Sequence, residues 1–483
     1  MMELAEFIVA LLAAARNELL LFAAVGLLIG GLDDILFDCI YWGRRFWRSA
    51  TIYRHFPRMT ADRLPRPAEG GTMAVFVPAW DEGPVIGPML RHCLARWPDE
   101  DVHYFVGVYP NDPASVVAVA DIAAISEQVT MVINPRPGPT TKADCLNGLW
   151  RALLSWESAN GRSVRAVVLH DAEDVVHGDA MRVMSALIGR FALVQLPVLP
   201  LASANSRWIA GHYCDEFAES HAKALMVREA LGAAMPSAGV GCAIERGMMG
   251  QLSSGRGGRP FDPDSLTEDY ELGLRIGDMG GRGILVRIRD TRGDLVATRE
   301  YFPDTLDGAV RQKARWMVGI ALAGWDRMGW GKGPVEAWMR LHDRRSLLAA
   351  VILAAAYAGL IAGALTGLAT LVGADSEVPL PDILPPLLWV NGLCLFWRLA
   401  MRMLFVHRAY GWAEAWRSVP RMAIANIIAM MAARRAIILY LRLWAGGALH
   451  WDKTAHRFPD LAAGVDAGAA LDVTRIVGAR PQP

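Results

Sequence analysis

From Ser346 to Ala374 the chain reads "SLLAAVILAAAYAGLIAGALTGLATLVGA", without one charged residue. That is longer than the roughly 20 residues a helix needs to cross the hydrocarbon core of a bilayer. In lipid every backbone amide must be satisfied within its own segment, so the run predicts a membrane-crossing helix. After "DSEVPLPD" the stretch Ile383 to Trp397 is again uncharged, and the two together predict a helical hairpin. Near the start, Leu19 to Leu32 is uncharged and is followed, not preceded, by basic residues, which predicts a retained anchor rather than a cleaved leader. Met422 to Tyr440 is apolar but carries Arg434 and Arg435, which fits either a further span or a helix lying in the interface.

Basic residues orient these segments. Arg44, Arg45, Arg48, Arg54 and Arg58 follow the first, Arg340, Arg344 and Arg345 precede the long span, and Arg398, Arg402 and Arg408 follow the next, whereas Asp375 to Asp382 holds acids and no base. Positive charge stays on the cytoplasmic side, so the middle of the chain is expected there. The expected divisions are an anchor and basic linker over 1–66, a catalytic domain over 67–340, transmembrane or interfacial helices over 341–450, and a cytoplasmic tail over 451–483.

Lys+Arg and Asp+Glu balance at 49 each, so net charge gives no support to a nucleic-acid partner. The six cysteines form no CxxC pair, which fits neither a zinc ribbon nor a disulfide framework.

In the middle region short apolar runs alternate with helix-like stretches, the pattern of βαβ units and a mainly parallel sheet. "MAVFVPAW" (Met73 to Trp80), "VHYFVGVYP" (Val102 to Pro110), "VTMVINP" (Val129 to Pro135) and "VRAVVLH" (Val164 to His170) are the expected strands. Ligands bind such sheets beyond the carboxyl ends of the strands. There the sequence places Asp81 and Glu82, then Asn111 and Asp112, then Lys142, and finally the crowded "HDAED". Neither GxGxxG nor GxxxxGK[ST] occurs, which argues against a dinucleotide enzyme or a P-loop kinase.

Like charges packed as closely as Asp171, Glu173 and Asp174 repel unless a cation joins them. Hard oxygen donors suit Mg²⁺ or Mn²⁺ bridging phosphates. A tight turn can bring Asp171 and Glu173 to one metal while Asp174 faces elsewhere; solvated loop carboxylates are the structural alternative. In "DPDSLTEDYELGLRIG", Ser265 and Glu268 fit a capping box, leaving Asp269 in the first helical turn, free to act as a base. In "VRQKARWMVG", Gln312, Arg315 and Trp316 share one helix face, either as part of an amphipathic surface helix or as an amide, a guanidinium and an indole for a sugar phosphate.

In this order the motifs resemble those of membrane-integrated family 2 glycosyltransferases, the group that includes cellulose and hyaluronan synthases, over roughly residues 72 to 330. "PAWDE" resembles the opening nucleotide motif, "TKADCLN" the Gly-Lys-Ala-x-x-Leu-Asn segment, "DAED" the Asp-x-Asp metal motif, "GVGCAIER" the glycine-rich acceptor strand, "TED" the base motif and "QKARW" the Gln-x-x-Arg-Trp signature. The metal motif has Glu173 where aspartate is usual, and Trp80-Asp81 replaces an aromatic or histidine followed by asparagine. "REYFPDTLDGAVRQKARWMVGIALAGWDRMGW" and "WDKTAHRFP" are similar to the glycosyltransferase part of NfrB-like (phage-adsorption protein B) proteins.

The resemblance implies an α/β GT-A domain, with a mainly parallel Rossmann-like sheet, between N- and C-terminal transmembrane helices of a bacterial inner-membrane protein. It implies inverting transfer from a nucleotide sugar, with a UDP-sugar the expected donor, to a growing polysaccharide or a lipid-linked acceptor. An inactive scaffold in an envelope or phage-adsorption complex is the alternative. A periplasmic or outer-membrane export partner belongs to the same expectation. By the same resemblance Asp171 and Glu173 hold Mg²⁺ or Mn²⁺ and Asp269 is the base. Pro78, Asp81, Glu82, Asp112, Lys142, Asn147, Asp171, Gln312, Arg315 and Trp316 bind the nucleotide sugar, and Gly241, Glu268 and Trp316 meet the acceptor.

Overall fold

The computed structural model describes residues 2–67, 70–373, 378–447 and 457–459. A 50-residue helix, α1 (Met2–Thr51), leads into β1 (Met73–Pro78), α2 (Gly83–Arg96), β2 (Val102–Val108), α3 (Pro113–Ala123), β3 (Val129–Ile133), α4 (Lys142–Asn160) and β4 (Ala166–Leu169). There follow α5 (Ala180–Leu187), β5 (Leu193–Gln195), α6 (Ile209–Glu219), α7 (Leu225–Ala230), β6 (Cys242–Glu245), α8 (Arg246–Ser254), α9 (Glu268–Asp278) and β7 (Gly283–Leu285). The chain closes with α10 (Leu306–Met317), α11 (Ala323–Met328), α12 (Pro334–Arg344), α13 (Ser346–Leu371), α14 (Leu384–Tyr410) and α15 (Trp412–Trp444). Single π-helical turns, Ser220–Ala224 and Val318–Leu322, follow α6 and α10.

The sheet runs in the order β3-β2-β1-β4-β6-β5-β7, parallel except for β6, which is antiparallel to both neighbours. Every residue of β1 is buried, as expected of a strand covered on both faces. On one face Val75 and Val77 pack with Ile86 and Leu90 of α2. On the other, Ala74 and Phe76 pack with Leu146, Leu149 and Trp150 of α4. Because β1 to β4 are mutually parallel, their carboxyl ends share one edge, and the loops after them meet there.

The expected capping box does not form. Thr267, not Ser265, precedes α9, and it makes no side-chain cap bond. Ser265 Oγ instead donates to Glu271 Oε1 at 2.7 Å, where Arg327 also binds. Glu271 is 1% exposed, and a carboxylate buried that deeply recruits nearby donors.

Four helices are long and apolar enough to cross a membrane, namely α1, α13, α14 and α15. Helix α1 extends well past the expected Leu19–Leu32 run because its acids are paired: Asp33 and Asp34 with Arg345, Asp33 with Trp338 and His342, Asp34 with Arg398, and Asp38 with Trp397 and Lys223. Further toward its amino end, Asn17 Nδ2 donates to the Pro379 carbonyl at 2.7 Å in the α13–α14 turn. At 1.5 Å per residue, Asn17 and Asp33 lie about 24 Å apart along the helix, close to one bilayer core.

Helix α15 packs on α13 and α14 and also touches the α/β domain at several points along its length. Arg421 Nη2 bonds Asp215 of α6 at 2.7 Å, Ala432, Ala433 and Ala436 pack with Ala314 and Met317 of α10, and the Tyr440 hydroxyl donates to Asp326 of α11 at 2.7 Å. Beyond it, Phe458 packs beside His92 of α2.

Candidate active site

A cavity of about 380 Å³ opens where the strand ends meet α9 and α10. Pro78, Trp80 and Glu82 enter it from β1, Thr141 and Lys142 from the start of α4, and Asp171 and Glu173 from the turn after β4. Glu268 and Asp269 enter from α9, and Gln312, Arg315 and Trp316 from α10.

The acidic turn is held from below. His170 and Asp174 are fully buried, with Nδ1 and Oδ2 2.5 Å apart, and the same Oδ2 accepts the Asp171 N–H at 3.2 Å. Asp174 is thereby committed inward, while Asp171 and Glu173 face the cavity. Burial, with Asp171 and Glu173 adding like charge, pushes the Asp174 carboxyl up, and burial pulls His170 down to about 4. Opposed burial effects of this kind favour an uncharged pair.

Thr141 caps α4 by accepting the Asp144 N–H at 3.2 Å, which sets Lys142 in the first turn. Lys142 Nζ lies 2.5 Å from Asp171 Oδ1. Burial alone would lower the ammonium, but Asp171, Glu268 and Asp269 outweigh it and hold it above its ordinary value. Burial raises the Glu268 and Asp269 carboxyls, and Lys142 pulls both back down.

Asp269 is fixed by backbone. Its Oδ1 accepts the Tyr270 N–H at 2.7 Å, and a Cβ at Gly239, where φ is +77°, would lie 2.4 Å from its Oδ2. Gln195 clamps that glycine loop by accepting from Ala238 N and donating to Val240 O, both at 2.9 Å. Across the cavity, Thr267 Oγ1, Gln312 Oε1 and Arg315 Nε are buried with no hydrogen-bond partner among the described residues. Buried polar atoms in native proteins are ordinarily satisfied, so this wall suits a polar ligand that offers hydroxyls to Gln312 and Thr267 and an anion to Arg315.

Asp81, Asp112, Asn147 and Gly241 do not line the cavity. Asp112 accepts from Asp81 N at 2.6 Å and from Ser115 N at 3.2 Å, fixing the turn in which Asp81 adopts a φ of +55°. Asn147 exchanges two hydrogen bonds with the Phe261 backbone, and Gly241 abuts Thr298. These residues shape the walls from behind.

Sequence reasoning did not assign Glu216, Phe217, Glu300 or Phe302 to the site, yet all four line it. Glu216 and Phe217 sit on a helix that carries no motif, whereas Glu300 and Phe302 open the quoted REYFPDTLDGAV stretch, whose resemblance named no role for them. Trp80, seen only as a departure from the motif, packs on Gly138 and meets Tyr109 edge-on at 5.2 Å.

For a divalent cation the donor set fits. Asp171 and Glu173 are hard oxygen donors on one turn, and the Lys142 ammonium at Asp171 marks a position where positive charge is stable. A second group, His177, Asp179 and Asp290, lies outside the cavity. Its imidazole is already engaged, Nδ1 accepting the Asp179 N–H at 3.1 Å and Nε2 lying 3.5 Å from Asp290.

The sheet and flanking helices form a GT-A-like architecture. Over 466 residues the chain is 36% identical to bacteriophage adsorption protein B of Escherichia coli K12 and, equally, to bacteriophage N4 adsorption protein B of Escherichia coli O157:H7. The match takes in 91% of this chain and 62% of those relatives, so the chain spans under two thirds of their length. Among solved structures, it is similar to a mannosyltransferase from Pyrobaculum calidifontis in complex with GDP-Man and Mn²⁺, at 19% identity and a TM-score of 0.48, covering 83% of this chain and 99% of that one. A glucosyl-3-phosphoglycerate synthase from Mycobacterium tuberculosis, in complex with Mn²⁺, UDP and phosphoglyceric acid, matches at 20% identity and a TM-score of 0.35, covering 57% and 84%. Residues 70–319 match the model of glycosyltransferase-like family 2, and the chain belongs to that family.

Proposed function

We propose that this chain moves a sugar from a nucleotide-sugar donor to a growing envelope glycan or lipid-linked acceptor at the bacterial inner membrane, by one inverting displacement. The observation that carries this is the shared cavity of Asp269, the Asp171–Glu173 pair, and Arg315 and Gln312, whose Nε and Oε1 make no hydrogen bond among the described residues. It gathers a base, a cation site, a guanidinium for an anion and an amide oxygen for a hydroxyl around one space.

Asp269 takes the proton from an acceptor hydroxyl as that oxygen attacks the anomeric carbon. The bond from that carbon to the diphosphate breaks on the opposite face, and the nucleoside diphosphate departs with the electron pair. Mg²⁺ or Mn²⁺ held by Asp171 and Glu173 would supply positive charge to the departing diphosphate. Lys142 and Arg315 add fixed positive charge in a site shielded from water, where it stabilises the developing anion most. Trp80 and Trp316 offer ring faces to the base and the sugar. With one base and no enzyme nucleophile, the configuration at the anomeric carbon inverts.

The basic residues flanking α1, α13 and α14 favour three crossings with the catalytic domain on the cytoplasmic face. Under this reading α15 lies along the domain at the membrane surface. The relatives' role in bacteriophage adsorption, given in their names, favours a second reading, a scaffold in a phage-adsorption complex.

The test is to give purified protein Mn²⁺ or Mg²⁺ with a panel of nucleotide sugars and measure released nucleoside diphosphate, beside Asp269→Asn and Asp171→Ala. Turnover of one donor, lowered at least about 10²-fold by each substitution, is expected. No turnover and no donor binding across the panel would favour the scaffold.

A further inference from the structure

A second cavity, of about 510 Å³, lies between α6, α10 and α15, lined by Trp208, Ile209, Leu306, Pro420, Ile424, Ile427 and Ile428. Its lining side chains are all apolar, and it is open at the lip, where Trp208 and Ile427 are each 48% exposed. Neither the transferase cavity nor its chemistry uses these residues. We infer that this crevice holds the hydrocarbon chain of a phosphate-linked lipid whose sugar headgroup is the acceptor presented to Asp269, an assignment that rests on the transferase reading above.

Proximity to the transferase cavity is the first argument. Two helices floor both cavities: α6 runs from Ile209 in the crevice to Phe217 in the transferase cavity, and α10 runs from Leu306 to Trp316. At 1.5 Å per residue these paths are about 12 and 15 Å, a span that a phosphate and one or two sugars bridge. The partition between the cavities is one aromatic cluster, with Tyr213 4.8 Å from Phe302 and Phe302 6.4 Å from Trp316.

Charge at the rim is the second. Arg207, next to Trp208, is exposed and makes no ion pair or side-chain hydrogen bond among the described residues, whereas the exposed Asp307, next to Leu306, is neutralised by Arg311 at 3.0 Å. An unpaired guanidinium beside an apolar slot complements a lipid with one phosphate at its head. Position in the membrane is the third. Trp412 and Trp416 at the start of α15 are 61% and 65% exposed, as interfacial tryptophans are, and they set the crevice at headgroup depth. A lipid can therefore enter it sideways without leaving the bilayer.

The experiment uses the full chain in phosphatidylethanolamine–phosphatidylglycerol nanodiscs with a diazirine-bearing farnesyl phosphate. Labelled peptides are mapped by mass spectrometry while donor turnover is measured in the same discs. Labelling is expected to concentrate on residues 205–210 and 420–428, to fall at least fivefold with excess isoprenyl-monophosphate-linked sugar, and to fall similarly in Ile427→Arg. Labelling spread over α1, α13 and α14, or displaced equally by phosphatidylglycerol, means ordinary boundary lipid and overturns the assignment. Labelling that appears only in a chain ending at Pro459 gives the crevice to the chain's own tail, and also overturns it. Donor turnover without crevice labelling rejects the crevice alone, whereas crevice labelling without turnover of any donor rejects the acceptor role along with the transferase reading.

Discussion

Lys142 opposes the rise that burial imposes on the Glu268 and Asp269 carboxyls, and this makes the proposed chemistry sensitive to pH in a definite direction. Burial raises Asp269, and Lys142 opposes that rise. A base works only when deprotonated, so kcat/KM should fall as pH drops through the raised Asp269 value. Lys142→Met removes the opposing charge and should move that acid limb to higher pH. A limb that stays in place or moves lower in the pH profile would separate Lys142 from the base. Beneath the same site, Asp174 holds the Asp171 amide. Losing such a support typically costs 10–100-fold in metal affinity. We expect Asp174→Leu to raise the half-saturating Mn²⁺ concentration by about tenfold or more, and Asp174→Asn, whose carbonyl can still accept that N–H, to recover part of it. An equal effect of the two in a metal titration would refute the positioning role. At this scale the acids beyond the strands were legible because charge crowded after an apolar run needs a reason. What each acid does was not: the bonds that commit Asp112 and Asn147 to the backbone are set by tertiary packing.

Among elements, the first four strands were readable because strands buried on both faces leave continuous apolar runs between turn residues. The three-residue β5 and β7 are too short to carry a period of two. The expected capping box failed because α9 starts at Glu268, with Thr267 at the cap, so the Ser265 hydroxyl accepts the Thr267 N–H and donates to Glu271 instead. The loop between α7 and β6 makes the sharpest prediction at this scale. An L-residue at the +77° φ of Gly239 costs about 1–2 kcal/mol, and its Cβ would press on the Asp269 carboxylate. Gly239→Ala should therefore lower kcat far more than it raises the donor KM. Gly241→Ala is the control: its φ is +57° and its Cβ would strike Thr298 instead. If both lower kcat equally, the loop acts through general stability and not through the base.

For the molecule as a whole, α13 and α14 were legible as long apolar helices from lack of charge alone, although α13 packs chiefly on α1 and not on α14, but the course of α15 was not legible. Length and apolarity make it as fit to cross a membrane as its neighbours, and Arg434 and Arg435 left either course open. Its contacts favour one course. Arg421 meets α6, the alanines at 432 and 433 meet α10, and Tyr440 meets α11, all on the same α/β domain. A helix leaving that domain through a bilayer would lose it after the first turns. Both ends of α15 should thus be reached from the same side of the membrane. With Cys39→Ser to remove the exposed native thiol, a membrane-impermeant maleimide should label Trp412→Cys and Trp444→Cys only from the cytoplasmic face, and Val372→Cys, at the far end of α13, only from the periplasmic face. These positions are 61%, 83% and 78% exposed, so labelling reports sidedness and not burial. Opposite sidedness at 412 and 444 would make α15 a fourth crossing. It would also pull the crevice off the headgroup layer, and with it the lipid acceptor placed there.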